Sequence, residues 1–277
     1  MLIQALDYRE ECEVLHALLR DIAPSAWDQP TQFKNWTFND VIRHLYLFDH
    51  AAKLTLLDAR AFKVWLTDIK RELTHGRSML DIATVWLDGC HGQALLTRWV
   101  DCYCEVSDVY ARAEPSQRVV WAGPDMSVRS CISARQMETW AHGQELFDAL
   151  GQRRAERDRI RNIAVMGVNT FGWSFANRGL QVPEIKPCVR LVSPSGQVWD
   201  WNDPSAEERI EGTAVDFCSV VAQTRNVLDT QLVVTGENAH TWMAIAQCFA
   251  GPPEEPPAPA TRFPTSVVNQ RGSLKCR

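Results

Sequence analysis

Apolar residues recur at helical spacing through the first 150 residues of the chain. Over residues 3–21, leucines and alanines alternate with charged groups at intervals typical of a helix with one buried face. A second helix is predicted from residue 38 to the high 50s, because Thr37 followed by Asp40 is a capping-box pattern that marks a helix start.

Two longer segments continue this helical pattern. One covers residues 78–112 and is expected to break near Gly92, and the other covers residues 127–150 and ends at Gly151, a residue suited to a helix C-terminus. Four helices joined by loops favour a bundle. We therefore predict a four-helix bundle at residues 1–153.

The pattern changes beyond residue 155. The predicted segments are a helix over 159–179, a β-hairpin over 187–201, and helices over 212–225 and 237–251. Together they indicate a small antiparallel sheet covered by helices, and the whole chain is therefore of the α+β class. The predicted domains are the bundle, a smaller α+β domain at 154–253, and a Pro-rich tail at 254–277 that we expect to be extended or disordered.

Composition narrows the classes of function. The 277 residues are 45% hydrophobic and 23% charged, with a formal net charge of −5 and no Lys/Arg-rich block, which argues against nucleic-acid binding. The N-terminal stretch carries charges where a signal peptide needs an apolar core. Apolar runs stay shorter than the roughly 20 residues that cross a bilayer. The sequence thus predicts a cytoplasmic protein with no membrane partner, acting as a monomer or homodimer.

The candidate chemistry begins with Glu138 and His142, which lie four residues apart and so share one helix face. Their neighbours on that face are small: Ala134, Ala141 and Ala149. A carboxylate and an imidazole at this spacing can converge on one metal ion. They can equally form a solvated polar face, and the pair alone does not decide between the two.

A catalytic metal site of the zinc type usually needs a third protein ligand. The best candidate is His44, which falls on the apolar face of the second predicted helix. A single histidine there could instead be a satisfied core residue. The remaining candidates compete less well and are interpreted as structural or solvent-facing: His50, His75, His91 and His240.

Two segments carry a family resemblance. NWTFNDVIRHL resembles the tryptophan–threonine–helix–histidine segment of DinB-like and mycothiol-dependent maleylpyruvate isomerase N-terminal domains, and METWAHGQELFDALG resembles their second metal-binding segment. The resemblance implies a DinB-like bundle with His44, Glu138 and His142 as metal ligands. WAGPDMS, GWSFANRGL, GTAVDFCSVVAQTR and AIAQCFAGPP also look like a subgroup of this superfamily, so the resemblance covers residues 1–253.

Three functions follow from that resemblance. The first is a metal-dependent isomerase or lyase that acts on an activated double bond of a small acidic or acyl substrate, with or without a low-molecular-weight thiol. The second is a thiol S-transferase. The third is a non-catalytic metal-binding accessory protein. Zinc is the expected metal, and nickel, manganese or iron(II) also suit two histidines and a carboxylate.

The isomerase relatives hold substrate carboxylates with arginines. The candidates here are Arg178, in FANRG, and Arg225, in VVAQTR. A guanidinium group can bind a carboxylate through two parallel hydrogen bonds. A surface salt bridge is the alternative fate for either residue.

Overall fold

The computed structural model describes residues 1–265. Within them are ten α-helices: α1 Ile3–Leu19, α2 Phe38–Leu57, α3 Ala59–Thr74, α4 Met79–Trp86, α5 Gly92–Arg112, α6 Val128–Ala149, α7 Arg161–Asn169, α8 Phe171–Ala176, α9 Ala214–Val221 and α10 Glu237–Ile245. The strands are β1 Arg118–Val119, β2 Met126–Ser127, β3 Cys188–Val192, β4 Val198–Trp201, β5 Arg209–Thr213 and β6 Val233–Thr235.

Helices α1, α2, α5 and α6 form the bundle, in which α1 and α2 each pack against both α5 and α6. The predicted start of α2 is confirmed. The Thr37 side chain accepts a hydrogen bond from the Asp40 amide, and the Asp40 carboxylate accepts one in return from the Thr37 amide at 2.9 Å. This reciprocal cap fixes the residue at which α2 begins, and therefore the position of each of its side chains along the helix axis.

The segment at 78–112 is two helices, α4 and α5, as the expected break near Gly92 implies. Asp88, Gly89 and Gly92 all have positive φ angles, so the chain cannot continue as a helix through this turn. Two features of the bundle region were not predicted. Helix α3 is an additional helix, begun by Asp58, whose side chain accepts from the amides of the first turn. The loop between α5 and α6 contains the two-residue strands β1 and β2, a short antiparallel hairpin that leaves the helices intact.

The C-terminal sheet has the strand order β4-β3-β5-β6. The predicted hairpin is confirmed as the antiparallel pair of β3 and β4. The expectation of a purely antiparallel sheet is wrong, because β5 pairs in parallel with β3. Strand β5, with the sequence RIEGT, was not predicted, and its last two residues fall in the segment predicted as a helix from 212; Ile210 is its one buried residue, and its neighbours are charged or small.

Helix α6 lies between two hydrophobic cores. One core fills the bundle and includes Phe38 and Trp99. The other lies under the sheet and contains Phe217 and Trp242 together with Trp140 from α6. Because α6 is covered on both sides, most of its side chains are buried, and the helix that carries two of the candidate ligands is held by both halves of the chain.

Residues 254–265 of the predicted tail contain no helix or strand, and most of their side chains are exposed. Hydrogen bonds from their backbone amides attach them to the rest of the protein. The Ala260 amide donates to Asp229 at 2.9 Å, and the Phe263 amide donates to Gln32 at 2.9 Å. The rest of the predicted tail, residues 266–277, lies outside the described residues. Among the described helices, none is both long enough and apolar enough to cross a membrane.

Candidate metal centre

His44, Glu138 and His142 come together where α2 packs against α6 in the bundle. One ligand atom from each residue lies within 4.8 Å of those of the other two. The Glu138 Oε2 atom lies 3.2 Å from His44 Nε2 and 3.4 Å from His142 Nε2. The spacing of four within α6 supplies two of the groups, and helix packing supplies the third.

The charges within this cluster suit a cation. Burial and the nearby charge of His142 lower the pKa of His44 to about 4, so its imidazole is neutral at neutral pH. Burial alone would raise the pKa of Glu138, but hydrogen bonds from His142 and His44 outweigh it and leave that pKa well below its usual range. An ionised carboxylate beside a neutral imidazole is the protonation state in which such groups bind a metal.

The geometry also fits an ion. Two ligand atoms that each lie about 2.1 Å from a tetrahedral zinc ion are about 3.4 Å apart. The two distances from Glu138 Oε2 to the imidazole nitrogens match that spacing. The three side chains would therefore hold a divalent ion with little rearrangement.

Aromatic rings from the loop before α2 line the cluster. Trp36 stacks on His142 with ring centres 5.3 Å apart and planes 12° apart, and Phe33 meets the same imidazole edge-on at 5.2 Å. Phe48 packs against His44 at 4.9 Å. These three rings pack against the two imidazoles and restrict their orientation. Sequence analysis did not assign them to the site.

A buried ion pair lies beside the cluster. Arg135, three residues before Glu138 on α6, donates from Nε to Asp49 of α2 at 2.8 Å, and their side chains are 3% and 0% exposed. The indole of Trp99 donates to the other Asp49 oxygen at 2.9 Å. The pair links the two helices that carry the ligands, and it was not predicted from the sequence.

The other predicted histidines lie elsewhere. His50 packs against Trp86 at 4.8 Å, and exposed positions are occupied by His75, His91 and His240. None of them belongs to a three-residue metal-ligand cluster in residues 1–265.

The two candidate arginines have intramolecular partners. Arg225 contacts Asp148 of α6 at 2.7 Å and donates to a backbone carbonyl at 2.8 Å. Arg178 donates to Gln247 at 3.4 Å and also to the carbonyl of Glu254. A role for either in holding a substrate stays a prediction.

The fold is thus a DinB-like four-helix bundle joined to a small α+β domain, with a His–Glu–His cluster between two of the bundle helices. The model of the mycothiol maleylpyruvate isomerase N-terminal domain matches residues 8–147, which is half of the chain. The chain belongs to this family.

Relatives support that assignment over a longer stretch. An uncharacterized protein found in two strains of Mycobacterium tuberculosis is 34% identical over 247 residues, which cover 89% of this chain and 95% of the relative. Among solved structures, the mycothiol-dependent maleylpyruvate isomerase superposes with a TM-score of 0.54 at 13% identity, covering 81% of this chain and 89% of that one. A histidine-to-alanine mutant of that enzyme superposes with a TM-score of 0.53 at 12% identity and the same coverage. At this identity the structures establish the shared fold.

Proposed function

We propose that this protein is a metal-dependent enzyme of the maleylpyruvate isomerase type. It isomerises, or adds across, an activated double bond of a small carboxylic or acyl substrate, with a low-molecular-weight thiol as co-reactant. The observation that carries the proposal is the convergence of His44, Glu138 and His142 at distances suited to one ion. Three protein ligands leave a coordination position for a reactant, whereas structural zinc sites usually have four.

Zinc is the metal we propose first, with nickel, manganese and iron(II) as the alternatives that the same donor set accepts. A divalent ion held by these residues would polarise a carbonyl group and lower the pKa of a thiol or water bound to it. Residues of the chain set the charge and the orientation of the side chains that would bind the ion. Glu138 supplies the negative charge, and contacts with Trp36 and Phe33 hold the ring of His142 in place.

The thiol is proposed from the family. The family and the superposed enzyme are both described as mycothiol-dependent or mycothiol-linked isomerases, and the 34% identical relative comes from a Mycobacterium. Mycothiol is therefore the first thiol to test. A thiol adds to a conjugated double bond, rotation about the resulting single bond follows, and expulsion of the thiol restores the double bond in the other geometry.

The first test is the metal content of the purified protein. We expect His44→Ala, Glu138→Ala and His142→Ala each to lose most of the metal, because each removes one of three ligands. His50→Ala is the matched control, since it changes a histidine on the same helix that lies outside the cluster. Unchanged metal content in all three ligand variants would place the metal elsewhere and end the proposal.

The second test separates the three candidate functions. The metal-loaded protein is incubated with maleylpyruvate and mycothiol, and both isomer ratio and free thiol are followed. Isomer formation without net loss of thiol supports the isomerase. Consumption of thiol with a stable S-adduct indicates the S-transferase instead. Tight metal binding with neither reaction, across a panel of unsaturated acids and thiols, favours the non-catalytic accessory role.

A further inference from the structure

A buried arginine, Arg135, links the two helices that carry the candidate ligands. Its Nε atom donates to Asp49 at 2.8 Å and its Nη2 atom donates to the carbonyl of Leu45 at 3.4 Å, so both bonds cross from α6 to α2. On α6, Arg135 lies three residues before Glu138, and on α2, Leu45 directly follows His44. The two helices are therefore joined within about one and a half turns of a ligand on each.

A second contact leads from Arg135 to the ring of His44. The guanidinium carbon of Arg135 lies 5.8 Å from the centre of the Phe48 ring, and that centre lies 4.9 Å from the centre of the His44 imidazole. His44 and Phe48 are four residues apart on α2, so they share a face of the helix. Arg135 thus packs against a ring that itself packs against a ligand.

The fit of the cluster to an ion depends on the spacing between α2 and α6. Glu138 and His142 lie on one helix, so the 3.4 Å between their ligand atoms follows from that helix alone. The 3.2 Å between Glu138 Oε2 and His44 Nε2 spans two helices and changes with their packing. Metal–ligand distances tolerate deviations of only about 0.2 Å. A small shift of α2 against α6 would therefore take His44 out of reach of the ion.

Stability alone gives little reason for a buried ion pair at this place. Replacement of such a pair by apolar side chains is often neutral or stabilising. A lone guanidinium would also repel a metal ion nearby, and the carboxylate of Asp49 offsets that charge. Apolar side chains cannot supply direction, however. Two hydrogen bonds from one planar guanidinium fix both the separation and the register of the helices they join.

We propose that Arg135 is a positioning residue for the metal centre. It holds α2 against α6 at the spacing that lets His44 share an ion with Glu138 and His142, and it is not itself a ligand. Metal binding then depends on a residue outside the ligand set. This inference rests on the proposed function, because it takes the His–Glu–His cluster as a metal centre.

The main test is the double variant Asp49→Leu/Arg135→Met in the full chain. It should remain folded, since apolar side chains of similar size replace both charges and neither partner is left unpaired. We expect it to bind zinc about tenfold or more weakly than the parent protein, an effect typical of residues that orient metal ligands. Competition with a chromophoric chelator measures the zinc affinity, and circular dichroism measures the folded fraction.

Cobalt(II) in place of zinc gives a readout that a merely structural role would not change. Its visible absorption bands report the number and arrangement of the ligands around it. We expect weaker and shifted bands in the double variant, because His44 no longer reaches the ion. Arg135→Lys keeps the charge but lacks the planar fork, so it should retain only part of the parent's zinc affinity and cobalt spectrum.

Ser107→Ala is the matched control. The Ser107 hydroxyl donates to the carbonyl of Ala5 at 3.0 Å, and this buried bond joins α5 to α1, two bundle helices that carry no candidate ligand. Its removal weakens the bundle away from the cluster. This variant should therefore keep the zinc affinity and the cobalt spectrum of the parent protein.

The outcomes keep the two proposals apart. A folded double variant with parent-like zinc affinity and cobalt spectrum would overturn the positioning role and leave the metal centre standing. An equal loss of zinc affinity in Ser107→Ala would also overturn it, because any weakening of the bundle would then suffice. If the parent protein binds neither zinc nor cobalt, the metal centre and the positioning role fail together. A zinc-loaded parent without isomerase activity would count against the proposed reaction alone, since both readouts report metal binding and not turnover.

Discussion

The buried pair of Arg135 and Asp49 tests how the two helices that carry the candidate metal ligands are held together. Asp49→Ala leaves the Arg135 guanidinium inside the protein without a counter-charge, since the two side chains are 3% and 0% exposed. It also removes the acceptor for the Trp99 indole. Breaking one half of a buried ion pair costs about 3–5 kcal/mol of unfolding free energy. The hydrogen bond from the Trp99 indole belongs to the same network, so the free energy lost with it is not simply added to that of the ion pair.

Urea denaturation followed by circular dichroism measures this effect. We expect Asp49→Ala to lower the unfolding free energy by about 3–5 kcal/mol. The double variant Asp49→Leu/Arg135→Met should lose much less, because apolar groups of similar size replace both charges. The exposed pair of Arg20 and Asp21 is the control, and Asp21→Ala should have little effect. A loss below about 1 kcal/mol for Asp49→Ala would mean that water reaches Arg135, and the view of a dry link between the helices would be wrong.

Two further predictions concern pH and packing. The pKa of His44 is about 4 in the fold and about 6.5 in the unfolded chain, so as pH falls the unfolded metal-free chain takes up the proton first. Keeping His44 neutral therefore contributes up to about 3 kcal/mol to the free energy of unfolding above pH ~6.5, and this contribution is lost as the pH falls towards ~4. Urea titrations at several pH values should show the unfolding free energy falling over this range, and His44→Gln should reduce that fall. Gly167→Ala on α7 should destabilise the protein by about 1–3 kcal/mol, because the added Cβ would lie 2.8 Å from Val221 and 3.0 Å from Phe217; an unchanged melting temperature would contradict this.

The helices of the bundle could be predicted because their signals are local. The Thr37–Asp40 cap sets the start of α2, and the helical spacing of apolar residues sets its buried face. Strand β5 lacked such a signal. Its parallel pairing with β3 joins residues about 20 positions apart, and charged side chains flank its buried Ile210. Such pairing depends on tertiary contacts that no short window of sequence records.

The candidate site divides in the same way. The spacing of Glu138 and His142 is a property of one helix, so the sequence could predict that they share a face. The third group required helix packing: the apolar face of the second predicted helix made His44 the best candidate, and the family resemblance then favoured a metal ligand over a core residue. Phe33 was not predicted, and Trp36 was known only as part of the family segment, because both lie in a loop without periodicity. Their role depends on the course of the backbone through residues 34 and 35, both with positive φ angles.

Residues 254–265 illustrate what a Pro-rich composition implies. Such a segment lacks helix and strand because proline has no amide to donate, and these residues contain neither element. Proline also narrows the unfolded ensemble, so an extended segment loses less entropy when it packs. The few remaining amides then need only scattered acceptors such as Asp229 and Gln32.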